Sequence, residues 1–140
     1  MTDLVVDASV AIKWVIEEQG TSQALALRRH RLFAPDLLVA ECANVLWKKA
    51  RRNELTAQEA VLAARLLQRA DIELAPIRAL LEPATNLAIA LDHPAYDCVY
   101  LALAESLSCD VVTADRRFSA RTLPAGCKSK VLALMTITLP

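Results

Sequence analysis

Leu4-Val5-Val6-Asp7-Ala8-Ser9-Val10 is the stretch from which the fold is read. Three successive apolar residues, two of them β-branched, suit a short buried strand. The strand ends at Asp7. Ser9 is then placed to cap a helix through Val10, Ile12, Trp14 and Val15, with Gly20 closing it. A buried strand passing at once into a helix is the opening of an α/β unit.

The rest of the chain continues that alternation. Thr21 to His30 reads as a helix, and Leu32-Phe33-Ala34 as a strand stopped by Pro35. Asp36 can cap a helix that runs to about Arg52. Thr56-Ala57-Gln58-Glu59 is a capping box, so another helix starts there and reaches about Ala70, with Asn53 at the turn between the two. Ile72 to Ala75 reads as a strand closed by Pro76. Arg78 to Leu91 is mainly helical, with Pro83 kinking or splitting it. His93-Pro94 marks a boundary. Ala95 to Leu107 is so apolar that it must be a buried helix. Asp110 to Thr113 is a strand ending near Asp115, a short helix follows around Arg117 to Ala120, and Val131 to Leu134 is a last strand. The expected architecture is one α/β domain over residues 1–140, with a mostly parallel sheet flanked by helices. Strand order does not follow from the pattern.

Composition narrows the class. A chain of 140 residues is long enough to bury a core without staples. Two glycines are too few for an all-β fold of many tight turns, and a charged fraction of 23% beside 55% hydrophobic residues argues against disorder. The formal net charge is zero, which hides any segregation. Gathering four carboxylates into one pocket would leave the remaining surface mildly basic. Cys42, Cys98, Cys109 and Cys127 form no C-x-x-C pair, so zinc is not expected. They read as reduced and mostly buried, in a cytoplasmic protein. No stretch approaches the roughly 20 apolar residues of a membrane span.

Four acids stand where such a fold puts its ligands, outside the carboxyl ends of the strands. Asp7 ends the first strand and Asp115 follows the Val111–Thr113 strand. Glu41 falls in the first two turns of its helix, with Asn44 and Lys48 on the same face. Asp97 opens the apolar helix, where an ionised carboxylate is costly unless paired or metal-bound. Each acid alone has a plainer explanation, as a helix cap, a solvated residue or a charge favoured by the helix dipole. Their joint placement is what points to a site. Oxygen ligands without His or Cys suit a hard cation, Mg²⁺ or Mn²⁺, and such ions serve phosphodiester hydrolysis.

These segments resemble a known family. Val5-Val6-Asp7-Ala8-Ser9-Val10 is similar to the opening motif of PIN-domain nucleases, and Leu38 to Leu46, with Glu41 and Asn44, to their second acidic motif. Ala95-Tyr96-Asp97-Cys98-Val99-Tyr100-Leu101-Ala102-Leu103-Ala104 resembles the third, and Val112-Thr113-Ala114-Asp115-Arg116-Arg117-Phe118 the fourth. Within the family the chain looks most like the VapC toxins of VapBC toxin–antitoxin pairs. The resemblance implies a PIN-like parallel sheet of about five strands. It implies Mg²⁺- or Mn²⁺-dependent endoribonuclease activity leaving 5′-phosphate ends, a homodimer, and a small VapB-like antitoxin that inserts a C-terminal segment near the acids. Carried over, the metal-site acids are Asp7, Glu41, Asp97 and Asp115, with Ser9 and Thr113 hydrogen-bonding around them.

Lys13, Lys48, Arg116 and Arg117 are the nearest candidates by sequence for holding the RNA backbone, and an ordinary solvated charge is the competing account of each. Lys48-Lys49-Arg51-Arg52 reads as a solvated helix end. Glu17, Glu18 and Glu105 read as surface acids, Asp92 and Asp110 as caps or turn residues, and His93 as at most a minor contributor near Asp97. Two alternatives compete with the ribonuclease: a PIN-like interaction domain without activity, and a DNA-directed nuclease of related fold. The presence of all four acids weighs against the first, and the short chain against the second. An aspartyl phosphatase would want an acid two residues after Asp7, where Ser9 stands.

Overall fold

In a computed structural model, which describes residues 2–139, the first strand is the centre of the sheet. Strand β1 (Asp3–Val6) pairs in parallel with β2 (Arg31–Pro35) on one side and with β4 (Asp110–Thr113) on the other. β3 (Glu73–Ala75) and β5 (Val131–Ala133) form the edges, giving the order β3-β2-β1-β4-β5. Every pairing is parallel. Val5 sits opposite Phe33 in one ladder and Val111 in the other.

Alternation along the strands divides the core in two. Val5, Phe33 and Val111 face a layer made by α3 (Leu37–Arg51), α4 (Ala57–Gln68), α5 (Leu81–Leu91) and α6 (Ala95–Leu107). Leu4, Val6, Leu32 and Val112 face the other way, toward Ala24 of α2 (Thr21–Ala26), Leu27 and Leu134. α6 is the centre of the thicker layer and packs on α5, β1, β2 and β4. Cys98 and every residue from Tyr100 to Ala104 are buried, which is why its sequence shows no polar face. Fully burying a side chain such as Leu101 contributes about 1.5–3 kcal/mol.

Several local expectations are corrected. Asp7, not Ser9, caps the first helix: α1 covers Ala8–Ala11 and continues as a 3₁₀ turn over Ile12–Trp14. The helix ends there, so Gly20 does not close it. Gly20 precedes α2 at φ +92°, a left-handed conformation, and a Cβ would meet Met135 Sδ at 3.1 Å. Asp36 precedes α3 without a side-chain cap, because its own backbone is already helical. Pro35 does not stop β2 but belongs to it, opposite Ala75 of the edge strand. Pro83 neither kinks nor splits a helix. It lies in the first turn of α5, where its missing N–H costs nothing, and the break falls between the 3₁₀ turn Arg78–Leu80 and Leu81. Of the four free cysteines, Cys42 and Cys98 are buried and Cys109 and Cys127 are partly exposed. Glu105 is not a plain surface acid: it accepts the backbone N–H groups of Lys128 and Ser129 and fixes the approach to β5.

The capping box at Thr56 and Glu59 is formed in both directions, at 3.1 and 2.8 Å, and Asn53 turns the α3–α4 hairpin at φ +60°. The chain runs from β1 outward to β2 and β3, then returns to the opposite side of β1 for β4 and β5. The carboxyl ends of β1 and β4 therefore flank the point where strand order reverses, the usual ligand crevice of an open α/β sheet. No helix among the described residues is long and apolar enough to cross a membrane.

Candidate active site

Asp7 is the innermost acid, 6% exposed, at the junction of β1 and α1. Its Oδ1 accepts the Ser9 hydroxyl at 2.5 Å and the Val10 N–H at 3.3 Å; its Oδ2 accepts the Thr113 hydroxyl at 2.5 Å. Each hydroxyl is in turn an acceptor. Ser9 Oγ takes the Ala114 N–H at 2.9 Å, and Thr113 Oγ1 takes the Asp115 N–H at 3.0 Å. Their single protons are committed to Asp7, so each hydroxyl meets its second partner only as an acceptor. The network clamps β1 to the chain leaving β4.

Burial drives Asp7 up to a pKa of about 6. The hydrogen bonds from Ser9, Thr113 and Val10 oppose that shift, and the negative charge of Asp97 adds to it. No ion pair among the described residues includes Asp7 or Glu41. Burying a carboxylate without a cation is unfavourable, and here a second carboxylate makes it worse.

Glu41 reaches the same place from the second turn of α3. Tyr100, itself fully buried on α6, donates its hydroxyl to Glu41 Oε1 at 2.5 Å. Burial raises the Glu41 pKa, the Tyr100 hydrogen bond opposes the rise, and the charge of Asp97 supports it. Asp97 lies in the first turn of α6, where the helix dipole favours an anion. Its Oδ2 lies 2.6 Å from His93 Nε2. Because the charge of Asp97 acts on both Asp7 and Glu41, these three acids form one electrostatic group.

Asp115 is attached differently. Its carboxylate caps α7 (Arg116–Ser119) by accepting the Arg117 N–H at 2.9 Å, with the Arg117 guanidinium 3.8 Å away. It communicates with Asp7 through Thr113 Oγ1. Among the described residues no three His, Cys, Asp or Glu side chains enclose a ready-made metal cage. The donor chemistry nevertheless fits a hard cation, since Mg²⁺ takes one or two carboxylates and keeps several waters. The uncompensated charge of buried Asp7 is the feature a cation would relieve.

The remaining predicted residues divide. Lys13 lies beside the site and pairs with Glu18 at 3.0 Å, while Lys49 holds the other Glu18 oxygen at 3.1 Å. Glu18 is thus a partly buried ion-pair centre held below its usual pKa by both lysines, although burial works against them, and not a free surface acid. Lys13 and the exposed Arg116 line one recess of about 220 Å³ with Ala114, whose N–H is bound by Ser9. Lys48 and Asn44 are exposed on α3, and neither has a hydrogen bond to the acids among the described residues. A separate apolar groove of about 290 Å³, lined by Leu38, Cys42, Leu46 and Leu67, runs between α3 and α4 and contains none of the four acids. Tyr100 and the strength of the His93 contact were not expected. Their spacing from Asp97, three residues on and four residues back, placed both near it, but only the packing of α6 against α3 reveals the Tyr100 partner.

The PIN domain family model matches residues 4–122, a span containing all four acids. The chain belongs to the PIN-domain family. Ribonuclease VapC9 of Mycobacterium tuberculosis is 35% identical over 116 residues, covering 83% of this PIN chain and 88% of that protein. Among solved structures, PAE2754 from Pyrobaculum aerophilum superposes with a TM-score of 0.69 at 23% identity, covering 94% of this chain and 84% of the other. VapBC2 from Rickettsia felis, bound to a DNA fragment from their promoter, gives a TM-score of 0.65 at 10% identity, covering 94% and 98%. The five-stranded parallel PIN sheet expected from the sequence is the one observed.

Proposed function

We propose that this PIN domain is the toxin ribonuclease of a toxin–antitoxin pair, cutting RNA internally with a divalent cation, Mg²⁺ or Mn²⁺, at Asp7, Glu41, Asp97 and Asp115. The observation that carries the reading is Asp7 itself. A carboxylate clamped by two hydroxyls, driven up to about 6 by burial and facing the charge of Asp97, is stabilised most simply by a cation. The relatives that share most of the chain are ribonucleases by name, which supports RNA as the substrate.

When bound, the cation supplies a water of lowered pKa and neutralises charge at the phosphate. The protein's part is placement. Ser9 and Thr113 fix the Asp7 carboxylate in one orientation. Asp97 and Asp115 add oxygen ligands, directly or through water. Glu41, held by Tyr100, is a further ligand or orients the attacking water. Cleavage then leaves a 5′-phosphate and a 3′-hydroxyl. Arg116 and Lys13, beside the Ala114 turn, hold the backbone phosphates, with Lys48 further out on α3.

A VapB-like antitoxin is the expected protein partner, a reading supported by the VapC name of the curated relatives and by the shared fold of VapBC2. A homodimer is also part of the proposal. Leu81 and Ile89 on α5 and Tyr96 on α6 are 72%, 76% and 64% exposed, large apolar side chains of the kind a second copy would cover. The cytoplasm is where such a nuclease meets its RNA. The test of the activity is cleavage of RNA by the purified protein with and without EDTA, beside Asp7→Asn.

A further inference from the structure

Asp97 is gripped by a residue to which the proposed chemistry gives no part. The backbone of His93 is tied to the end of α5, where its N–H reaches Ala88 O at 3.2 Å. Asp92, left-handed at φ +49°, turns the chain there, and Pro94 immediately precedes α6. The imidazole is 7% exposed and stacks on fully buried Phe118 of α7, with ring centroids 5.7 Å apart and planes 18° off parallel. Arg121 Nη1 donates to Leu91 O at 3.3 Å and closes α7 onto the same corner. The ring is therefore wedged among the end of α5, the start of α6 and α7, the helix that Asp115 caps.

So placed, His93 directs Nε2 at Asp97 Oδ2 across 2.6 Å. A carboxylate oxygen can only accept, so Nε2 carries the proton, in a neutral or a charged ring alike. The other ring nitrogen, Nδ1, is buried without a hydrogen-bond partner, so no other bond competes for the ring's orientation. The described hydrogen bonds of Asp97 use only Oδ2 and leave Oδ1 without a protein donor.

We infer that His93 is a positioning residue for Asp97: its Nε2–H occupies one carboxylate oxygen and turns the other toward the site shared with Asp7 and Glu41. The inference rests on the proposed role of Asp97 as a cation-binding acid. It also gives the Phe118 stack a purpose. Packing under the Asp115 helix sets the imidazole, and the imidazole sets Asp97. Partners that orient ligand side chains in this way typically change metal affinity or activity by roughly 10- to 100-fold when removed.

The experiment uses the purified full chain and three variants, His93→Leu, His93→Gln and Asp97→Asn. Mn²⁺ binding is measured by titration calorimetry, cleavage on total RNA, and folding by thermal melting without metal. Gln places an amide N–H near the position of Nε2, whereas Leu fills space without a donor. The expected result is a folded His93→Leu with Mn²⁺ affinity and cleavage lowered roughly 10- to 100-fold, and recovery of most of both in His93→Gln. A folded His93→Leu that binds and cleaves like the wild type, while Asp97→Asn does neither, overturns the inference and leaves the site intact. An Asp97→Asn that binds and cleaves like the wild type overturns the site assignment, and this inference with it. Should His93→Leu fail to fold, His93→Asn, whose amide is too short to reach Asp97, takes its place: activity equal to that of His93→Gln contradicts the role, and a deficit confined to Asn supports it.

Discussion

Tyr100 on α6 donates its hydroxyl to Glu41 on α3 across 2.5 Å, joining two helices through the acid that both enclose. Tyr100→Phe keeps the ring and removes that donor. Glu41 stays half-buried with nothing to offset its desolvation, so its pKa moves further up. The variant should fold with a stability loss of about 1.5–3 kcal/mol in urea melts, the usual range for a hydrogen bond to a charged group. Its cleavage rate should fall, and the acid limb of its pH–rate profile should shift to higher pH. An unchanged profile would remove Glu41 from the chemistry.

Asp7 makes the metal-free protein less stable as pH rises. With an ordinary value of 3.8 and a folded value of about 6, the folded state binds the extra proton between those limits. Stability therefore falls from about pH 4 to about pH 6 and stays reduced above it, by up to about 3 kcal/mol. Asp7→Asn should raise the melting temperature of the metal-free protein at pH 7.5 and leave it nearly unchanged at pH 4. Mn²⁺ should stabilise the wild type more at pH 7.5 than at pH 5, and should not stabilise the variant. Equal melting of the two proteins at both pH values would mean that Asp7 is not the strained group described.

Thr113 serves two partners with one hydroxyl, giving its proton to Asp7 and accepting the Asp115 N–H. Thr113→Val matches its shape and leaves both unsatisfied in a fully buried position. We expect a loss of about 1–3 kcal/mol and strongly reduced cleavage, with Thr113→Ser restoring most of each. The comparison of Val with Ser in parallel melts and cleavage assays isolates the hydroxyl from packing.

Much of this arrangement can be read from the sequence because it is local. The apolar run Leu4–Val6 followed by an acid, and the buried helix Ala95–Leu107, have bounds set by residues inside them or adjoining them. Proline readings fail where position within an element matters: Pro83 in a first helical turn and Pro35 next to an edge strand are both tolerated. Ser9 resembles a cap, but its hydroxyl is taken by Asp7 and the Ala114 N–H, a contact made 105 residues away. Strand order and the Tyr100–Glu41 bond likewise depend on separations that no local pattern records. Asp115 is where the pattern promises most relative to the geometry, since its carboxylate caps α7 while the charge of Asp97 acts on Asp7 and on Glu41.

Arg116 is exposed beside Ala114 and has no ion pair among the described residues, unlike Lys13, which Glu18 holds. Arg116→Ala should weaken RNA binding across sequences and reduce the slope of log affinity against log salt by nearly one. Lys48→Ala, further out on α3, should have a smaller effect. Filter binding to a catalytically dead variant at several salt concentrations measures both. A steeper dependence on Lys48 than on Arg116 would move the RNA path onto the face of α3.

The most direct measurement is cleavage of total RNA by the purified, partner-free protein with Mn²⁺, beside Asp7→Asn and Asp97→Asn. The account predicts discrete cuts with 5′-phosphate ends, abolished by EDTA and by either substitution in proteins that remain folded. Cleavage that survives EDTA, or that persists undiminished in both folded variants, would contradict a nuclease built on Asp7 and Asp97.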